Sequence, residues 1–404
     1  MVSKTGALTV QVAIVGGGPA GLTAAIALAE AGIETALIAK AAADDHRTTA
    51  LLAGSVTALD TLGVWPRCRD HAAPLRVMRI ADDTSRLIRA PEVSFAADEI
   101  GLEAFGYNIA NRELLAALNS RAGELSSLQR IEDEASAVET GDDNVTIRLC
   151  SGGAVTAKLA IGADGRRSMC RTAAGIETDG LSYPQIALTF NLSHARPHRG
   201  VSTEFHTENG PFTLVPLPGE RSSLVCVVDE DDAERIEALD DGALAYEIEQ
   251  RSHSILGKIT VEPGRGRFPL AVQTARQFAL HRIALIGEAA HAIPPIGAQG
   301  LNLGLRDAAT IGELVVEACR DGGDPGAPDL LSRFDGGRRT DIKSRTFAVD
   351  LLNRSLLTDF LPVQGVRGLG LYLIDRIGPL RRAVLREGVA PSASQPRLMR
   401  GEAL

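Results

Sequence analysis

The stretch Val10-Gln11-Val12-Ala13-Ile14-Val15-Gly16-Gly17-Gly18-Pro19-Ala20-Gly21 sets the fold. Val10 to Val15 has the apolar, β-branched character of a short buried strand. The glycines end it, and a helix pattern runs from Leu22 to Ala31, with Gly32 placed to cap it. Ile33 to Ala39 reads as a second strand. Strand, glycine turn, helix and strand form a βαβ unit, and Gly16, Gly18 and Gly21 stand in the GxGxxG register. In that register the first glycine makes a tight turn, the second admits a pyrophosphate against the helix N-terminus, and the third lets helix and strand pack closely.

One part of the pattern is absent. An acid for the ribose hydroxyls is expected at the end of the second strand, but Ala39 and Lys40 stand there, and the nearest acids are Asp44 and Asp45. A lysine in that place suits a phosphorylated ribose, so NADP at this first site is a competing reading.

A second glycine-rich stretch lies at 287–307: Gly-Glu-Ala-Ala-His-Ala-Ile-Pro-Pro-Ile-Gly-Ala-Gln-Gly-Leu-Asn-Leu-Gly-Leu-Arg-Asp. The apolar run Ile283 to Ile286 feeds into it, and a helical pattern follows from Leu305 to Ala318. Gly297, Gly300 and Gly304 let backbone approach a ligand. Glu288 supplies one acid and Asn302 one amide donor, which suits a large, flat, mostly uncharged ligand. His291 reads as a structural histidine rather than an acid or base. A third motif, Leu159 to Ser168, is a buried strand ending in Asp164-Gly165. It puts a carboxylate at the mouth of a sheet, with Ser168 as a candidate helix cap. Arg47 and Arg112 each sit near a predicted helix start, the first opening a helix to about Leu62 and the second preceding a helix over Glu113 to Ala122. There they meet an anionic ligand or solvent.

Strand patterns recur at Ala135–Glu139, Val145–Leu149 and Ala154–Ala157. They return at Gln185–Leu192, Val201–His206, Phe212–Pro216 and Ser222–Asp229, and one polar helix, Asp232 to Ser252, follows them. The second group reads as a separate sheet covering the cofactor.

Composition narrows the function. The 404 residues carry a net charge of −9, which argues against a nucleic-acid partner. Five scattered cysteines show no metal-binding spacing and read as reduced thiols of a cytoplasmic protein. No metal site is expected. The first apolar run lacks a signal-cleavage pattern, and no apolar stretch is long enough to span a bilayer.

Gly16–Gly21, Asp164-Gly165 and Gly287–Asp307, in this order and spacing, resemble the class A flavoprotein aromatic hydroxylases. Pro294-Pro295, Gln299-Gly300-Leu301-Asn302 and Asp307 resemble the UbiH/UbiF-type hydroxylases of ubiquinone biosynthesis in particular. The resemblance runs from Val10 to about Leu385. It implies an α/β fold: a Rossmann-like, glutathione-reductase-like FAD-binding domain interrupted by a β-sheet-rich substrate domain, with a C-terminal helical region. The FAD domain would take residues 1–72, 106–180 and 280–335, the substrate domain 73–105 and 181–279, and the helical region 336–404.

By position, Gly16, Gly18 and Gly21 would meet the FAD diphosphate. Arg47 and Arg112 would lie along the ribityl and diphosphate region. Asp164 would serve FAD and the passing nicotinamide cofactor, Glu288 the ribityl hydroxyls, and Gly297 to Asn302 the isoalloxazine. Glu288 departs from the family's usual Asp by one methylene. The implied activity is NAD(P)H- and O2-dependent hydroxylation of a polyprenylated phenol through a flavin C4a-hydroperoxide, with no protein nucleophile. A soluble aromatic substrate, or a non-catalytic flavin-binding subunit of a biosynthetic complex, stays open as an alternative. Association with other quinone-biosynthesis proteins follows from the same resemblance.

At the C-terminal end Val366, Leu369, Leu373, Ile377, Leu380 and Val384 recur at helical spacing among arginines. Gly378-Pro379 is placed to break that helix. Residues 338–400 hold twelve Arg/Lys against five Asp/Glu. The stretch reads as a helix packed on the body of the enzyme or as a peripheral contact with anionic lipid at the inner face of the membrane.

Overall fold

The computed structural model describes residues 8–41, 45–85, 89, 91–294, 298–357, 378–389 and 395–404. The strand Leu8–Val15 pairs parallel with Ala154–Gly162 on one side and Thr35–Ile38 on the other. Ile283–Leu285 extends this parallel set beyond Ala154–Gly162, and Leu128–Ile131 extends it beyond Thr35–Ile38. Short antiparallel strands complete an eight-stranded sheet. Val12, Ala13, Ile14, Leu159, Ala160 and Ile161 are fully enclosed, as continuous apolar runs must be when both faces of a parallel sheet are covered.

The helix Pro19–Glu30 is buried from Ala20 to Ala29. Its five buried alanines at 20, 24, 25, 27 and 29 let it lie close between the sheet, Gln299–Arg320 and Asn111–Ala122.

A nine-stranded sheet carries the other half of the molecule, built on Thr178–His194 paired with Arg221–Asp229 and Gly266–Ala275. Val77–Asp82 and Val93–Ala96 join its far edge. It has its own core, with Phe190, Phe205, Phe212, Leu214 and Leu224 among its members. The tiny strand His291–Ala292 pairs with Gly266–Ala275, so the chain crosses between the two sheets within the 287–307 motif.

Several expectations are corrected. Thr48–Leu52 is a strand rather than the start of a helix, and only Ala53–Thr61 is helical. The reason is tertiary. Thr48 to Leu52 pair residue by residue with Ala110 to Gly106, and a Cβ on Gly106 would run into the Leu51 carbonyl. The polar helix expected at 232–252 is two helices, Glu230–Glu237 and Asp241–Arg251. Asp229 and Asp240 each accept a hydrogen bond from a backbone N–H three residues on, at 2.8 Å, so each starts its own helix. The strand at Ala154–Ala157 and the one running from Leu159 to Asp164-Gly165 are a single strand, Ala154–Gly162, which ends before Asp164. The helix expected from Leu305 begins six residues earlier, at Gln299. Gly378-Pro379 opens the described helix Gly378–Val389 rather than breaking one, which suits a proline in the first turn. Val366, Leu369, Leu373 and Ile377 lie outside the described residues.

Candidate active site

The glycine turn has the shape that its three positions demand. Gly16 has φ +117°, and a Cβ there would collide with the Ala163 carbonyl, just past the end of the neighbouring strand. A Cβ on Gly21 would collide with the Gly16 carbonyl. Gly18 differs, because nothing lies within 4 Å of where its Cβ would be. Gly16 and Gly21 therefore close the turn, and Gly18 faces open space. The helix Pro19–Glu30 starts at Gly18 with no side-chain cap and no acid in its first turn. Its backbone N–H groups and dipole are left to an anion. These residues fit the diphosphate of a dinucleotide.

Gly18 opens on a cavity of about 690 Å³ with walls from both sheets. The nucleotide side contributes Gly16 to Pro19, Ile38 to Lys40, Asp45 to Arg47, Leu115, Asp133 to Ala135 and Asp164. The other sheet contributes Thr189, Gly264, Arg265, Gly266 and Phe268. Sequence reasoning expected a covering sheet but missed Gly264 to Phe268 as the part of it that meets the cavity, as well as His46, Asp133 and Glu134. The clustered pattern Gly264-Arg265-Gly266 was the one local signal for it.

Arg47 stands between the walls. Its guanidinium carbon is 5.6 Å from the centre of the Phe268 ring, and its Nη2 is 2.8 Å from Asp45 Oδ2. Asn111 Nδ2 donates to the same oxygen at 2.9 Å. Burial works to raise the Asp45 carboxyl, but the hydrogen bonds from Arg47 and Asn111 outweigh it and bring it down to about 2. Arg47 is thus fixed as a cation before any ligand arrives. Asp44 lies outside the described residues.

Asp164 lines the cavity and also organises the turn below it. Its Oδ1 accepts from Ser168 Oγ at 2.6 Å, and its Oδ2 accepts from Met169 N at 2.7 Å and Cys170 N at 3.1 Å. Ser168 Oγ in turn accepts from Arg171 N at 2.9 Å, the cap that its sequence position suggested.

The 287–307 motif lies against the same helix. Gly287 and Gly304 both approach Ala20, and Gly287 has φ +57°. Glu288 is exposed, and its carboxylate is 3.9 Å from Arg166 Nε. Gly300 has no neighbour within 4 Å of a would-be Cβ. It lies in the first turn of Gln299–Arg320, which has no side-chain cap and no acid there. Gly297 lies outside the described residues.

Asn302 is buried with its amide already engaged. Oδ1 accepts from Leu52 N at 2.9 Å, and Nδ2 donates to the carbonyls of Ala50 at 2.8 Å and Ala298 at 2.6 Å. Its side chain therefore locks Thr48–Leu52 onto the motif. Arg112 does not line the cavity. It is exposed and pairs with Glu113 at 3.1 Å.

Beneath the motif sits an ionic cluster. Asp307 accepts from Gly287 N at 3.0 Å and Arg338 Nε at 2.7 Å, and meets His291 Nε2 at 2.6 Å. Burial pushes the Asp307 carboxyl up, but His291 and Arg338 more than reverse that and hold it below the usual carboxylate range. His291 is fully enclosed and serves this anchor. The five cysteines are all unpaired. Among the described residues no group of acids, histidines and cysteines could hold a metal ion.

Comparison with known proteins agrees with this geometry. The FAD binding domain family matches residues 9–340. The ubiquinone hydroxylase UbiL of Rhodospirillum rubrum is 36% identical over 402 residues, covering 97% of this chain and 92% of that protein. The 3-demethoxyubiquinol 3-hydroxylase of Escherichia coli is 30% identical, covering 93% and 97%. The solved p-nitrophenol 4-monooxygenase of Pseudomonas putida superposes with a TM-score of 0.79 at 19% identity, over 96% of this chain and 100% of that one.

Proposed function

This chain belongs to the FAD binding domain family, and on that premise we propose that it hydroxylates the aromatic ring of a polyprenylated phenol in ubiquinone biosynthesis. It is an FAD-dependent monooxygenase. The observation that carries the reading is the cavity walled by both sheets, in a chain that matches named ubiquinone hydroxylases along nearly its whole length.

When bound, FAD supplies the redox step: two electrons from NADH or NADPH and one O2 put one oxygen atom on the ring and release the other as water. The protein supplies position and electrostatics. Gly18 and the uncapped helix behind it take the diphosphate. Arg47, held by Asp45 and Asn111, presents its charge to the cofactor's anionic stretch. Gly300 and the start of Gln299–Arg320 offer bare backbone to the flavin ring. Glu288 reaches the ribityl hydroxyls with one methylene more than an aspartate would have. The nine-stranded sheet forms the other wall of the cavity, through Thr189, Gly266 and Phe268.

A prenylated substrate resides in lipid. No helix among the described residues is long and apolar enough to cross a membrane. We propose that membrane contact is peripheral, through the arginine-rich C-terminal region, and that the enzyme works beside other proteins of the same pathway. A strain lacking this chain is expected to accumulate a prenylated phenol short of one hydroxyl, seen by mass spectrometry of lipid extracts. A normal quinone pool in that strain would count against the proposal.

A further inference from the structure

We infer that Glu134 supplies the carboxylate for the adenosine ribose of FAD, replacing the acid missing at Ala39; the inference rests on the FAD reading above. The strands Thr35–Ile38 and Leu128–Ile131 are parallel neighbours with Ile38 opposite Ile131, and Ala39 N donates to the Ile131 carbonyl at 3.1 Å. Both strands therefore leave the sheet at the same edge, side by side. Three residues beyond Ile131, Glu134 lines the cavity together with Ala39 and Lys40.

The other acids on the cavity wall are already engaged. Asp45 accepts from the backbone N, Nε and Nη2 of Arg47 and from Asn111. Asp164 holds the turn at Ser168 to Cys170. Asp133 folds back onto its own loop, accepting from Glu134 N at 2.7 Å and Ser151 N at 3.2 Å. Glu134 alone keeps an open carboxylate edge. Its Oε2 meets Lys40 Nζ at 2.5 Å, and its Oε1 accepts no hydrogen bond among the described residues.

The same pair accounts for Lys40. An ammonium neutralised by Glu134 is poorly placed to hold a ribose phosphate, so the site suits a plain ribose diol. Two hydroxyls donating to a carboxylate are charge-assisted hydrogen bonds. The acid has moved one strand over and still faces the same edge.

The test uses full-length protein stripped of flavin and titrated with FAD and with FMN, which lacks the adenosine, by flavin fluorescence. Glu134→Ala is expected to weaken FAD about tenfold, the usual effect of losing a hydrogen bond to a charged group at a half-open site, and to leave FMN unchanged. Adding Ala39→Glu to that variant should restore FAD affinity. The side chain of Glu134 is 54% exposed, so its loss leaves the fold intact. The inference is overturned if Glu134→Ala binds FAD as the parent does, or if FAD and FMN weaken equally. If the parent protein itself fails to bind FAD, the cofactor reading falls, and this inference with it.

Discussion

Gly18→Val is expected to give a folded protein that is purified without colour and binds FAD at least about a hundredfold more weakly, or ~2.7 kcal/mol. Gly18 sits at φ −71° and ψ 173°, an extended conformation that valine accepts readily. No protein atom lies within 4 Å of the added Cβ, so the turn has no reason to distort. The new methyls instead fill the space over the helix N-terminus where the diphosphate must lie. Thermal unfolding of the flavin-free forms should coincide for parent and variant, while fluorescence titration separates them. Gly16→Ala is the contrasting case. Its φ of +117° and the Ala163 carbonyl leave no room for a Cβ, so that change should damage the fold itself. Undiminished FAD affinity in Gly18→Val would show that the turn is only a turn.

The second large effect lies under the flavin motif. Asp307→Ala is expected to destabilise the protein by about 3–5 kcal/mol, because it strands a buried cation. Asp307 and Arg338 are each almost wholly enclosed, and the carboxylate also holds Gly287 N and His291. Without it, Arg338 keeps Asp341, at 2.6 Å, as its one ion-pair partner among the described residues.

The pH dependence of the effect has a definite sign. The Asp307 carboxyl titrates lower in the folded chain than its ordinary value of 3.8. Its contribution is therefore present above that value and lost as pH falls through the folded one. The urea-denaturation gap between parent and variant should be full at neutral pH and shrink below about pH 4. A gap that is the same at pH 3 and pH 7 would contradict the ionic account.

Features of the fold set by neighbours in the chain were readable in the sequence. The turn at Gly16 to Gly21 is flanked at once by its strand and helix, so periodicity and glycine spacing sufficed. The Asp164-Gly165 turn and its Ser168 cap were also local. The strand Thr48–Leu52 was not readable, since its pairing with Gly106–Ala110 crosses more than fifty residues and overrides a helical-looking pattern. Asn302 was read as a donor to a ligand. Its amide goes instead to Ala50, Leu52 and Ala298, and sequence cannot show which donors are already taken. Asp307 was visible as part of a motif, but its partner Arg338 is 31 residues on and became evident only once the helices packed. The cavity wall at Gly264 to Phe268 was hidden for the same reason: it comes from the sheet that folds over from the other half of the molecule.

FAD held by this chain is expected to insert one atom of O2 into a prenylated phenol. The direct measurement is a single incubation of purified enzyme with FAD, NADPH or NADH, a prenylated phenol in detergent and ¹⁸O2, followed by mass spectrometry of the product. The account predicts a hydroxylated ring carrying one ¹⁸O atom, with none taken from solvent water. Oxidation of the nicotinamide cofactor that yields only hydrogen peroxide and unchanged phenol, or a product hydroxyl that carries solvent oxygen, would contradict it.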